Sequence, residues 1–158
     1  MADVRAKIVE RMTKLANDIA ASIASHGLTA SGATARSLRV VDSGSEIALY
    51  GRRFFPALET GSARWTGYTG VHCTFSQFVE IIRQWATAKG LCFGQATEHE
   101  RTIRAIAKTI INNGTKQKRS GQRLDVYSDL VDDACADMAE IVGVDLMEQI
   151  TNDIAKWR

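Results

Sequence analysis

The sequence is poor in the features that mark most enzyme and membrane classes. No stretch of its 158 residues approaches the ~18 consecutive apolar residues that a membrane-spanning helix requires. The opening Met1-Ala2-Asp3-Val4-Arg5 mixes charges at once and lacks the apolar core of a signal peptide. There is no GxSxG, no Walker loop, no HExxH and no dinucleotide-binding fingerprint. Gly61, Gly67 and Gly70 are not followed by the Gly-Lys-Ser/Thr of a phosphate loop. Cysteine is scarce. Cys73, Cys92 and Cys135 are an odd number without a CxxC, which reads as reduced thiols in a protein made in the cytoplasm. Proline occurs once, at Pro56, and neither repeats nor low-complexity tracts are found.

What is present is the composition of an ordinary globular chain. Apolar residues make up 45% and charged residues 24%, which excludes global disorder, a fibrous repeat and a disulfide mini-scaffold. The length fits a single domain, 1–158, able to bury roughly 70% of its unfolded surface. The net charge of +2 hides an asymmetry. Residues 1–114 carry 14 basic and 9 acidic groups, 115–124 carry four basic groups and no acid, and 125–158 carry nine acids against Lys156 and Arg158. Opposite-sign segments of this kind let copies stack head to tail or neutralise each other within one chain; the plainer reading is a solvated acidic helix face.

Periodicity predicts a long amphipathic helix over about 2–25. Val4, Ile8, Met12, Leu15, Ile19 and Ile23 share one face, and Gly27 is its stop signal. Residues 29–37 are small and polar, a loop with room for one helical turn. A hairpin follows, with strands at 38–41 and 46–51 around Asp42-Ser43-Gly44-Ser45. Residues 61–74 read as a loop. A second helix is expected over 75–89, with Phe78, Ile81, Ile82 and Trp85 inward and Gly90 at its end. A third is expected over 98–113, with Ile103, Ile106, Ala107, Ile110 and Ile111 inward. Residues 115–124 read as a basic loop. From Ser128 a long acidic helix or helix pair is expected, with Gly143 a candidate break. Its first stripe is Leu130, Ala134, Met138, Ile141 and Val142, continued by Leu146, Ile150, Ile154 and Trp157.

Few residues carry chemistry. His72, Cys73, Cys92 and His99 are donors of the type that hold zinc, but adjacent His72 and Cys73 are poorly spaced for paired ligands, and buried cysteine commonly serves as a small hydrophobe. With His26 they complete the histidines, and no nucleophile elbow accompanies them. We therefore expect no catalytic, cofactor or metal site. The basic segment Lys116, Lys118, Arg119 and Arg123 is a candidate to meet phosphates or an acidic neighbour, although only Tyr127 offers a nearby ring for stacking. Arg52 and Arg53 either close a strand in solvent or face a partner subunit. Trp65 and Tyr68 are candidate anchors on the glycine-bearing loop.

Ser31-Gly32, Ala35-Arg36-Ser37-Leu38, the strand pair and Phe55-Pro56-Ala57-Leu58-Glu59-Thr60-Gly61-Ser62 together resemble the tail-completion family of tailed bacteriophages, also called head–tail joining or minor tail component proteins. In that family a TG-x-L-x-x-S segment leads into a strand, and a second strand ends at YA-x-x-x-E-x-G-T. Here Arg36-Ser37-Leu38 stands at the approach to the strand, and Glu59-Thr60-Gly61-Ser62 stands for the Glu–Gly turn. The stretch from Gln84 through Leu91 looks like the inserted helix of longer members. Ala105-Ile106-Ala107-Lys108 with Gly114-Thr115 looks like their following helix and G-T turn. The resemblance covers 31–62 and 78–128. It departs at 116–123, basic and proline-free where members carry a Pro-Phe-rich segment.

The resemblance implies an α+β fold in which a long N-terminal helix and a small antiparallel sheet with a hairpin pack with further helices; the long acidic C-terminal helix is added by the periodicity from Ser128 onward. It implies a structural, non-catalytic protein of the virion neck or tail, made in the bacterial host cytoplasm. Copies would form a hexameric or dodecameric ring between portal-side connector proteins and the tail, with no membrane involved and with genomic DNA passing through the channel. The rival expectation is a small DNA-binding protein using the basic segment 115–123.

Overall fold

The apolar stripe of the first 25 residues forms one uninterrupted helix, α1 (Ala2–Ser25). The computed structural model describes residues 2–52, 55–63 and 74–155. α1 ends as its sequence predicts. Gly27 takes φ +64°, its N–H donates to the Ala24 carbonyl, and the Leu28 N–H donates to the Ile23 carbonyl, the paired closure of a left-handed helix cap. A 3-10 turn at Ala35–Ser37 leads into strands β1 (Arg39–Asp42) and β2 (Ile47–Tyr50). They pair antiparallel with Arg39 opposite Tyr50 and Asp42 opposite Ile47. The remaining helices are α2 (Ala57–Thr60), α3 (Phe75–Ala88), α4 (Ala96–Asn113), α5 (Lys116–Ser120) and α6 (Ser128–Ala155). The described residues are therefore mostly helical, with one two-stranded antiparallel sheet, an α+β arrangement.

The elements group into two compact units. One draws on 2–29, 34–52 and 125–155; the other on 30–33, 55–63 and 74–124. In the first unit α1 packs against α6 and the hairpin. Leu15, Ala16, Ile19 and Ile23 of α1 and Ala134 of α6 are buried, whereas Val4, Ile8 and Met12 are only half-buried. The two helices run antiparallel. Arg11 Nε donates to Asp137 Oδ2 at 2.6 Å, and one helical turn earlier Lys7, paired first with Asp3 at 2.7 Å, also lies in the field of Glu148 and Asp145. Arg11 Nη1 is buried without a hydrogen-bond partner. The hairpin is fastened to α1 by Arg5, whose Nε donates to both Asp42 carboxylate oxygens at 3.1 and 3.0 Å. That contact, and next the Gly44 N–H at 2.9 Å, hold the Asp42 carboxyl below its ordinary range.

The second unit has its own core of Val79, Ile82 and Ala86 from α3 and Ile103 and Ala107 from α4, flanked by Phe78, Phe93, Ile106 and Ile110. α3 opens on a capping box. Thr74 Oγ1 accepts from the Gln77 N–H at 3.3 Å, and Gln77 Oε1 accepts from the Thr74 N–H at 2.7 Å. Outside the core, Arg83 Nη2 donates to both oxygens of Glu100 at 2.9 Å. Arg83 first, and then Arg104, hold the Glu100 carboxyl below its ordinary range.

Several expectations are corrected. The inward face of α3 is Val79–Ile82–Ala86, while Ile81 and Trp85 are exposed. Phe78 and Ile82 do lie on or beside the covered face, but its centre is one position round the helix from the expected stripe. α4 begins at Ala96, two residues before the expected start. The segment 115–124 is not a plain loop. Thr115 Oγ1 caps the Lys118 N–H at 3.4 Å and Gly121 at φ +67° ends the turn, which makes 116–120 helical. α6 continues through Gly143 without a break. A single helical glycine costs only about 1 kcal/mol relative to alanine, too little to interrupt 28 residues.

Candidate functional site

Two segments that the sequence singled out separately, 57–62 and 114–124, meet in the second unit. Pro56 starts α2, and the chain leaves it through Gly61 at φ +67°. Beyond the turn, the Ser62 N–H donates to Thr115 Oγ1 at 3.0 Å and the Thr115 N–H donates to the Ser62 carbonyl at 2.9 Å. Gln117 Nε2 donates to the Leu58 carbonyl at 3.2 Å and also to that of Glu59. The Leu124 N–H donates to the Glu59 carbonyl at 3.0 Å. The approach is close enough to require glycine at 61. A Cβ there would collide with Thr115 Oγ1 and lie 2.8 Å from the Lys118 nitrogen.

Glu59 sits at the centre of this joint. It is 2% exposed, the one buried charged residue among the described residues, and Arg123 Nη2 lies 3.4 Å from its Oε2. A buried carboxylate is tolerated only when hydrogen-bonded or paired, so Arg123 and the backbone around it form part of the joint's structure. The sequence groups Arg123 with Lys116, Lys118 and Arg119 as candidates to meet phosphates or an acidic neighbour. The structure places its guanidinium against Glu59, although its side chain remains 60% exposed.

The other basic candidates separate from it. Lys116, Lys118 and Arg119 project from α5 into solvent, with no ion-pair partner among the described residues. Arg52 follows β2 and is exposed; its backbone N–H donates to Ser37 Oγ at 3.2 Å. Arg53, Trp65 and Tyr68 lie outside the described residues, as do His72, Cys73 and Trp157. Of the zinc-type donors that are described, His99 Nδ1 accepts the Phe93 N–H at 3.2 Å and its ring stacks on Phe93 at 5.5 Å. No group of three potential metal ligands forms among the described residues.

The surface that sequence reasoning missed is on the second half of α6. Val142, Val144, Leu146, Met147, Ile150 and Ile154 are 46–64% exposed; Val142, Leu146, Ile150 and Ile154 belong to the stripe that helical spacing picks out, and Val144 and Met147 do not. The explanation is rotational. Ala134, buried against α1, and Ile150 are 16 residues apart, which at 3.6 residues per turn places them roughly 160° apart around the helix. α6 thus turns one apolar face to α1 in its first half and a nearly opposite one to solvent in its second. Carboxylates border that second face, and α6 carries no Lys or Arg. A shallow groove runs along it, lined by Glu140, Gly143, Val144, Met147, Glu148 and Thr151 among others. The signal was readable in the helical angle between the two stripes, which a residue-by-residue spacing count joins into one.

No described helix is long and apolar enough to cross a membrane. Comparison with protein-family models, with curated proteins and with solved structures finds no match.

Proposed function

We propose that this chain is a structural protein of a tailed-bacteriophage virion, a tail-completion or head–tail joining protein whose copies form a ring in the neck between portal-side connector and tail. The reading rests on the resemblance over 31–62 and 78–128. The observation that carries it is the joint itself: Glu59-Thr60-Gly61-Ser62 and Gly114-Thr115, the two turns the resemblance picks out, are hydrogen-bonded to each other through Ser62 and Thr115. On this reading the long acidic α6 belongs to the subunit's assembly surface, the ring is hexameric or dodecameric, and the chain acts in the virion without catalysis. It is made in the bacterial host cytoplasm, and genomic DNA passes through the channel it helps to form.

The test is quantitative mass spectrometry of purified virions, with copy number expressed relative to the portal protein. A ratio near one, or near one half, is the expected result. Absence from the particle overturns the proposal.

A second reading, a small DNA-binding protein, is favoured by one observation: Lys116, Lys118 and Arg119 stand exposed together on one short turn. It predicts salt-dependent affinity for duplex DNA that disappears when these three are neutralised. Affinity unchanged by that substitution removes it.

A further inference from the structure

The second half of α6 is too apolar for a surface that stays bare. Val142, Leu146, Met147, Ile150 and Ile154 fall within an arc of roughly 140° on one helix, so they form a continuous stripe and not scattered single exposures. The groove beside it is lined by Gly143, Val144 and Met147 together with the carboxylates of Glu140 and Glu148, and Glu148 also lies in the field of Lys7 of α1. An apolar groove that also carries carboxylates suits a lysine or arginine. The methylene stem lies along the apolar residues and the charged head reaches the carboxylates.

The chain itself carries the complementary group. α5 presents Lys116, Lys118 and Arg119 to solvent within four residues, and 115–124 holds four basic groups and no acid. Over its 28 residues α6 holds eight acids and no base. Two α6 faces pressed together would set carboxylates against carboxylates, which disfavours a symmetric pairing of like with like.

We propose that the exposed face of α6 receives the basic turn α5 of a second copy of this chain, with Lys116, Lys118 and Arg119 lying over Val144, Met147 and the gap at Gly143 and reaching Glu140 and Glu148. The contact joins two different patches, so each copy has one donor and one acceptor surface. Such a contact propagates, closing into a ring or extending as a filament according to its rotation. It deepens the ring reading above and rests on that reading only for closure.

The experiment is analytical ultracentrifugation of the full chain, of an α6 variant (Met147→Glu), of an α5 variant (Lys116→Glu, Lys118→Glu and Arg119→Glu together) and of the two variants mixed. Circular dichroism checks that each is folded. The wild type is expected to form species larger than a monomer, and each variant alone is expected to sediment as a monomer. The mixture is expected to give a dimer and nothing larger, because one intact α6 face then meets one intact α5 turn. A further variant that reverses both sides, with Glu140→Lys and Glu148→Lys added to the α5 reversals, is expected to regain assembly. A wild type that stays monomeric at its highest soluble concentration overturns the proposal. So does an α5 variant that keeps the wild-type size, a mixture that stays monomeric, or a monomer in which α5 folds back on its own α6. Absence from virions with this assembly intact would remove the neck reading and leave the contact standing.

Discussion

Ser62 and Thr115 lie 53 positions apart and bond to each other reciprocally: the Ser62 N–H donates to Thr115 Oγ1 at 3.0 Å, and the Thr115 N–H donates to the Ser62 carbonyl at 2.9 Å. Thr115 Oγ1 also caps the first turn of α5, so a single hydroxyl serves both a long-range contact and a helix end. Thr115→Val, which keeps the shape and removes the oxygen, is expected to destabilise the fold by about 1–3 kcal/mol, whereas Thr115→Ser is expected to retain most of the stability. Urea denaturation monitored by circular dichroism measures both.

Gly61 is the position where the joint admits no side chain. Gly61→Ala places a Cβ against Thr115 Oγ1 and the Lys118 nitrogen at φ +67°. A loss of about 1–3 kcal/mol is expected from strain and displacement together. Gly143→Ala is expected to act oppositely. Its added Cβ meets nothing within 4 Å and the position is helical, so the isolated chain should gain about 0.5–1 kcal/mol. Equal effects of the two changes in thermal melts would contradict both accounts.

Ile103 and Ile150 look alike in the sequence, each an isoleucine on an apolar helical stripe. Ile103 is 0% exposed and Ile150 is 46% exposed. Ile103→Ala is expected to cost about 2–5 kcal/mol, and Ile150→Ala no more than about 0.5 kcal/mol in the monomer. Denaturation at a concentration low enough to dissociate any assembly separates the two.

Acid should loosen the hairpin. The Asp42 carboxyl is depressed by its hydrogen bond from Arg5 and then by the Gly44 N–H. A carboxyl depressed on folding contributes stability above its unfolded value, and the contribution is lost as pH falls through the lower folded value. Glu100, depressed by Arg83 and then Arg104, adds the same dependence in the other unit. Carbon NMR of the Asp42 carboxyl during a pH titration should show its midpoint rise in Arg5→Gln. An unmoved midpoint would show that Arg5 does not set it.

Local signals carried much of the fold. α1 and its closure at Gly27, the hairpin, and the ends of α3 and α4 at Gly90 and Gly114 follow from periodicity and glycine placement. The turn at α5 is also written in its sequence, as Thr115 before it and Gly121 after it, but five residues are too few to show a helical period. Spacing alone misplaced the apolar face of α3, because Ile81 and Trp85 fit a helical stripe as well as Val79 and Ala86 do. Which stripe is covered depends on what packs there, and one helix does not specify that. The same limit hid the bare face of α6. Long-range partners such as Glu59 with Arg123 or Arg5 with Asp42 left no local trace.

The order in which the units are threaded has a consequence for synthesis. The second unit draws on nothing beyond residue 124, whereas the first needs the segment that begins at 125. A chain leaving the ribosome can therefore complete the α3–α4 core while α1 still waits for α6. Until then Leu15, Ile19 and Ile23 have no α6 to pack against, so the apolar face of α1 stays open to chaperone capture until α6 emerges.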